Sequence, residues 1–382
     1  MSVESEVDRS TGEKFSYFYQ KIAKSDSKLY FIVIPGGPGG TSISSYRPDD
    51  FLDFREIQWG LPQGANVIYT DPRSRGCNSE NSLDPETYDT INVANDILNI
   101  IKHERLTRYV LVGHSYGTVV ATTLSQLATQ QEWPSPEVVV LSGTLGHYFK
   151  EGNRSYGYER AWESLYLELP DKVQAQLPPT LLSTEADNFS YPFDLPADKW
   201  RSFIAGGLVE GGSYVAGEEF FPLKNKLIIL NSEDASEKEE LKSEVDSMEP
   251  ESQLEESDFF KQIYCNELEE NNEDCIDDYE LTRPFDSANY SIASKILYFQ
   301  GARDPATPLD QAFYHFENQP MADKLFVTLP IGGHSTAFKI NDCKEPFWKK
   351  LLNNEFDQLK EILKTCPGNL KVTSGLDQVT QF

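Results

Sequence analysis

Hydrophobic positions along the chain fall into short continuous runs separated by longer mixed stretches. Residues 29–34, 66–70, 109–112, 137–141, 295–300 and 324–329 are each largely apolar at consecutive positions, the pattern of strands covered on both faces. Residues 15–22 alternate loosely and read as an early edge strand. Between the runs, Val93, Ile97, Ile100 and Ile101 recur at helical spacing and predict a helix over 85–103. Small and apolar residues over 118–128 predict another, and 347–364 predicts a closing amphipathic helix. Strands alternating with helices imply an α/β fold with mostly parallel pairing and right-handed crossovers.

The rhythm breaks at about Leu145. Residues 145–290 carry helical patches, such as 158–169, among many aromatics and long polar stretches. Asp and Glu crowd 231–280, which reads as a solvated helix face or loop. Phe259-Phe260 and Ile263-Tyr264-Cys265 interrupt the charge and imply that this part packs on something. The organisation expected is a core formed by 1–144 and 291–382, with its α/β rhythm over 14–144 and 291–366. An acidic, mainly helical cap is inserted at 145–290. No internal repeat is visible.

Composition narrows the function classes. With 34 basic against 61 acidic residues the formal charge is −27, which argues against nucleic acid or an anionic membrane surface as a partner. No apolar run reaches membrane-spanning length. The polar, acidic start M-S-V-E-S-E-V-D-R-S carries no signal peptide as it stands, though a processed start would look the same. None of the five cysteines forms a C-x-x-C pair, so no zinc site is expected. Cys265 with Cys275 and Cys343 with Cys366 are plausible short-range disulfides that leave Cys77 over; five reduced thiols are the alternative.

The run at 109–112 leads into Gly113-His114-Ser115-Tyr116-Gly117, a G-x-S-x-G pattern between a strand and a helix. In that context the pattern means a nucleophile elbow, with Ser115 exposed on a strained turn at the sheet edge. A serine needs a general base, and the base needs an orienting acid. Of the five histidines, His334 follows a buried strand and two glycines, at the edge where catalytic groups of a parallel sheet collect. His114 is expected to point away from the nucleophile's partner. Asp304, held in the proline-rich turn D-P-A-T-P past another strand, completes the order Ser–Asp–His of an α/β-hydrolase fold. The expected oxyanion donors are the backbone N–H groups of Tyr116 and of Gly37, in the glycine-rich loop 35–40. Pro38 has no N–H to give. Neither G-K-[ST] nor G-x-G-x-x-G is present, so no nucleotide, cofactor or metal is expected.

Together, G-G-P-G-G, D-P-R, G-H-S-Y-G, D-P-A-T-P and G-G-H-S resemble the proline iminopeptidase and tripeptidyl aminopeptidase group of α/β-hydrolases. The resemblance covers both α/β blocks and matches the insertion only loosely. It implies Ser115, Asp304 and His334 as triad, Gly37 and Tyr116 as oxyanion donors, and a cap that recognises a substrate amine through carboxylates. The reaction implied is release of one or a few residues from a peptide's free N-terminus through an acyl-enzyme. Pro35 stands where iminopeptidases usually carry histidine, which leans toward the tripeptidyl branch, and Asp71-Pro72-Arg73-Ser74-Arg75-Gly76 lacks one glycine of the usual motif. Ala161-Trp162-Glu163 and Cys265-Asn266-Glu267 resemble cap motifs of the two branches, making Glu163 and Glu267 the amine-binding candidates. Cys343 and Cys366 are similar to a disulfide pair of the tripeptidyl branch, which favours an exported protein over a cytoplasmic one. The partner expected is a peptide with a free N-terminus, with neither nucleic acid nor membrane insertion. An esterase or lipase of the same fold, or a non-catalytic binding protein, are the competing readings.

Overall fold

The computed structural model describes residues 1–7, 12–43, 61–62, 64–80, 83–150, 153–183, 189–215, 218–248, 258–270, 281–321, 323–334, 343–353, 355–366 and 370–374. The first strands are β1 (Ser2–Glu6), β2 (Lys14–Ile22), β3 (Leu29–Ile34) and β4 (Asn66–Thr70). Helix α1 (Thr90–His103), strand β5 (Arg108–His114), helix α2 (Tyr116–Gln130) and strand β6 (Val138–Ser142) follow. The chain then leaves the sheet through α3 (Asn153–Tyr166), α4 (Asp171–Gln174), α5 (Ala197–Glu210), a small ribbon of β7 (Ser213–Val215) and β8 (Glu218–Phe220), α6 (Pro222–Ile228), α7 (Ala235–Asp246) and α8 (Asp258–Ile263). It returns with β9 (Lys295–Gly301), α9 (Leu309–Asn318), β10 (Lys324–Leu329), α10 (Lys344–Leu352), α11 (Leu359–Thr365) and β11 (Lys371–Ser374).

Among the described residues the sheet runs β1-β2-β4-β3-β5-β6-β9-β10-β11. Its centre, from β4 to β10, is parallel throughout. Alternation along these strands sends Ile32, Leu111, Val139 and Ile296 to the face covered by α1 and α2. Their neighbours Phe31, Val110, Val138 and Leu297 go to the face covered by α10 and α11. This is why the strands read as unbroken apolar runs: each residue has a buried side to occupy.

Register decides where chemistry can collect. Ile34 pairs with Gly113 and His114 with Ser142, while Gly301 pairs with Leu329. The loops at 35–40, 115, 143, 302–308 and 331–334 therefore all leave one edge of the sheet.

The inserted stretch divides between two cores. Trp162, Leu165, Trp200, Phe203, Leu208, Leu223, Leu227, Leu241 and Val245 pack with one another away from the sheet. Phe259, Ile263, Tyr264 and Leu268 instead join the core of α1 and α2, so the breaks in the acidic run pack against the main body. The remainder of that run, 249–257 and 271–280, lies outside the described residues.

Several expectations shift. Strand β2 is not the edge: β1 pairs antiparallel along its outer side, anchored where Ser5 Oγ donates to Asp96. The predicted helix 85–103 begins only at Thr90, because the Asp89 side chain accepts the Asn92 N–H at 2.6 Å and caps it there. The closing helix is two helices joined by a short turn at Phe356–Gln358, where Phe356 drops into the core. A disulfide joins Cys343 to Cys366, linking the start of α10 to the end of α11; Cys275, the expected mate of Cys265, lies outside the described residues.

Candidate active site

Ser115 is the residue between β5 and α2, with φ 53° and ψ −126°. A side chain rarely takes up such a backbone, and here it is held from several sides. The Ser115 N–H donates to Ser142 O at 2.9 Å, and the Thr118 N–H returns to Ser115 O at 2.8 Å. The turn fits only because its flanks lack side chains: a Cβ on Gly117 would stand 2.3 Å from Ile34 O, and one on Gly113 2.4 Å from Gly117 O. Helix and strand thus cross at backbone contact, and Ser115 is left half-buried at the rim.

His334 and Asp304 meet on the same edge. His334 Nδ1 lies 2.9 and 3.0 Å from the two Asp304 carboxylate oxygens. Burial alone would raise the Asp304 carboxyl, but the adjacent His334 and the hydrogen bonds from Thr307 outweigh it and hold it below the usual range. An ionised carboxylate only accepts, so Nδ1 is the donor in this pair. The carboxylate is further held by the N–H groups of Ala306 and Thr307, by Thr307 Oγ1 at 2.7 Å and by Gln300 Nε2 at 2.9 Å.

Ser115 and His334 are brought together through β6. Ser142 accepts the Ser115 N–H, and the next residue, Gly143, backs directly onto the imidazole: a Cβ there would be 2.8 Å from His334 Cε1. The ring's hydrogen bonds run through Nδ1, to Asp304 and Thr307. Among the described residues none joins Nε2 to Ser115 Oγ.

Loop 35–40 passes close over Ser115. Gly36 lies against Ser115, where a Cβ would come within 2.9 Å of the serine Cβ. The next residue, Gly37, is exposed, with φ +118°, and among the described residues its N–H makes no hydrogen bond. The Tyr116 N–H belongs to the first turn of α2 and has no partner within the helix. These are the two donors expected from sequence.

Glu267 and Glu163 part company. Glu267 is buried in a π-helical turn, Tyr264–Leu268, that follows α8. Its Oε1 accepts the Thr90 N–H at 3.1 Å, while Thr90 Oγ1 and the Tyr116 hydroxyl are 3.0 Å apart. The carboxylate thus stands two hydrogen-bonded steps, through Thr90, behind the residue next to Ser115. Burial pushes it up to about 7, against the pull of the Thr90 hydrogen bonds. Glu163 is exposed on α3 and shares no contact with Ser115, Asp304 or His334 among the described residues. The W-E pair splits because Trp162 is the buried half, its indole N–H donating to Pro178 O at 3.1 Å.

Other residues escaped the sequence reading. His114 does not point away from the nucleophile's partner: its ring packs on that of His334 with centroids 4.6 Å apart. The side-chain-free Gly143 leaves the room between β5 and the His334 loop that this needs. His114 Nδ1 donates to Ser142 O at 3.2 Å, and burial followed by repulsion from His334 drops the group to about 3. Thr307 was legible in principle, since Asp followed three residues later by Thr is a self-capping turn. Of the other histidines, His315 is wholly buried between Tyr298 and Thr122 and belongs to the core. No cluster of metal-ligating side chains occurs among the described residues.

A serine on a sharp strand-to-helix turn, beside an Asp–His pair on the edge of a mostly parallel sheet, defines an alpha/beta hydrolase-fold protein. A model of the alpha/beta hydrolase fold family matches residues 30–339, and the chain belongs to that family. No curated protein matches it. Among solved structures it is similar to Rv0554 of Mycobacterium tuberculosis, with 18% identity over 93% of this chain and 99% of that one and a TM-score of 0.48. It is also similar to a proline iminopeptidase of Mycobacterium smegmatis, at 12% identity, 95% and 99% coverage and TM-score 0.47. A third, described as a putative non-heme bromoperoxidase BpoC of Mycobacterium tuberculosis, gives 19% identity, 89% and 96% coverage and TM-score 0.46. At such identities and scores none of them bears on what this chain does.

Proposed function

We propose that this alpha/beta hydrolase is a serine exopeptidase that releases one or a few residues from the free N-terminus of peptides. The reading of Ser115 as nucleophile is carried by one observation: the buried Asp304–His334 pair, 2.9 Å apart, opens on the sheet edge where the strained Ser115 turn stands. In this reading His334 Nε2 takes the Ser115 hydroxyl proton as Oγ attacks the carbonyl. Asp304 orients the ring and stabilises the imidazolium, and the proton then passes to the leaving amine. The N–H groups of Gly37 and Tyr116 receive the oxyanion. Water repeats the sequence on the acyl-enzyme.

The preference for a free amine rests on the motifs and on Glu267. A buried carboxylate with one N–H partner, close behind Tyr116, is poised to pair with an ammonium that enters the site. Glu163, exposed on α3, is the weaker candidate. The test compares a free-amine peptide amide, its N-acetyl counterpart and a p-nitrophenyl ester, with Ser115→Ala as control and mass spectrometry identifying products. Cleavage of the free-amine peptide and not of its N-acetyl counterpart, at its N-terminus and lost in Ser115→Ala, is the expected result, with the activated ester reporting Ser115 reactivity in either case. Equal turnover of the blocked peptide, or turnover of the ester only, would replace the exopeptidase reading with that of a general acyl hydrolase.

A further inference from the structure

The loop that carries His334 is held from outside the sheet. The His334 N–H donates to Val209 O, in the last turn of α5, at 2.9 Å, and the Gly212 N–H donates to Ile331 O at 2.7 Å. Gly211 and Gly332 form an antiparallel bridge between these hydrogen bonds. The fit is backbone on backbone: a Cβ on Gly211 would stand 2.0 Å from the Gly333 nitrogen, and one on Gly333 2.5 Å from Leu208 O. Gly211 also has φ +64°, so no other residue suits the position.

The Asp304 loop is gripped in the same way. A Cβ on Gly157 of α3 would lie 2.4 Å from Pro305 O. Arg303 donates to Glu168 and its guanidinium lies 5.3 Å from the centre of the Phe221 ring. The Arg303 N–H donates to Gly332 O at 3.0 Å, tying the two loops together. Leu208 and Phe221 belong to the core that the inserted helices form among themselves.

We propose that the C-terminal end of α5, Val209 to Gly212, is a positioning element for the general base, so that the inserted helices set the geometry of His334. The ring is fixed from the sheet side by Asp304, Thr307 and Gly143; its backbone is fixed by the insertion. The base can keep its place only while α5 keeps its own, so a shift of the inserted helices moves His334 relative to Ser115. Displacing a catalytic group by about 1 Å costs up to about a hundredfold in rate. This rests on His334 being the base that activates Ser115.

The experiment measures the rate of Ser115 labelling by a fluorophosphonate as a function of pH, with kcat and KM on a p-nitrophenyl ester and the thermal midpoint alongside. Gly211→Ala is expected to slow labelling and lower kcat by about ten- to a hundredfold, with KM nearly unchanged and a shifted pH profile. Gly206→Ala lies on the same helix, where an added Cβ meets nothing within 4 Å, and should match wild type. Should Gly211→Ala not fold, Gly212→Ala carries the test, because its Cβ meets the movable Ile331 side chain at 2.9 Å and the Ile331 carbonyl oxygen only at 3.0 Å; a smaller loss of kcat at constant KM is expected. Wild-type labelling rates and pH profiles in the folded variants overturn the coupling alone. No labelling of wild-type protein overturns the nucleophile reading and the coupling with it.

Discussion

His334 Nδ1 sits 2.9 Å from Asp304 Oδ2, with the carboxylate wholly enclosed. Replacing that carboxylate by an amide of the same shape lets the ring bind as the wrong tautomer, with its proton on Nε2. Asp304→Asn is expected to lower kcat by roughly 10³–10⁴-fold while the fold survives. Thr307→Val removes one donor to the same oxygen and is expected to cost about tenfold in kcat/KM. Steady-state kinetics on any accepted substrate checks both, and an Asn variant with near-normal kcat would remove Asp304 from the mechanism.

The strain at Ser115 gives a second expectation. With φ 53° and ψ −126° the residue occupies backbone space that glycine enters freely and alanine does not. Ser115→Gly and Ser115→Ala should both be inactive, yet the glycine variant should be the more stable by about 1–3 kcal/mol. Urea unfolding of the two proteins gives the difference directly. Equal midpoints would mean that the turn is not strained in solution.

How much of this could be read beforehand follows from which interactions leave a trace in side chains. The buried strands were legible because parallel strands covered on both faces need consecutive apolar residues, and 29–34 and 324–329 are of that kind. That Ser115, Asp304 and His334 leave the same edge of the sheet was legible because each follows such a strand. The grip of α5 on the His334 loop was not, since it runs through the carbonyl of Val209 and the backbone of Gly211, where any helix end followed by glycine would read alike. The N-terminal strand β1 was missed for a related reason: S-V-E-S-E has almost no apolar signal, and its place is fixed by pairing with β2 and by Ser5 against Asp96. Glu163 and Glu267 looked equivalent in sequence; burial of the neighbouring Trp162 turns one outward, while the π-helical turn draws the other in.

The contact between the His114 and His334 rings leads to a third expectation. Burial, followed by repulsion from His334, drops His114 to about 3, so it remains neutral across the working range although its edge reaches the rim. The acid limb of log kcat/KM against pH should then have unit slope, reporting a single ionisation. His114→Asn should keep that slope. A slope of two in wild type, reduced to one in the variant, would show that the rings titrate as a coupled pair.

Glu267 supplies the fourth, and the sign has to be followed through. Its carboxyl is raised from 4.5 to about 7 by burial, which the Thr90 hydrogen bonds and Arg283 only partly offset and which Asp89 reinforces. A carboxyl raised in the folded state stabilises that state when protonated. The contribution is full below about pH 4.5 and is lost as pH rises through 7, at most on the order of 3 kcal/mol. Glu267→Gln cannot ionise, so its stability relative to wild type should grow from pH 5 to pH 8, as thermal unfolding at each pH would record. The same charge is what a substrate ammonium would need. In wild type, KM for a free-amine peptide should therefore fall as pH rises toward 7 and Glu267 ionises, until the amine itself begins to lose its proton near pH 8. In Glu267→Gln that KM should be higher and flat over this interval, with N-blocked esters unaffected in both proteins. If free-amine and N-blocked substrates lose equally in the variant, Glu267 is supporting Thr90 and Tyr116 and does not bind the amine.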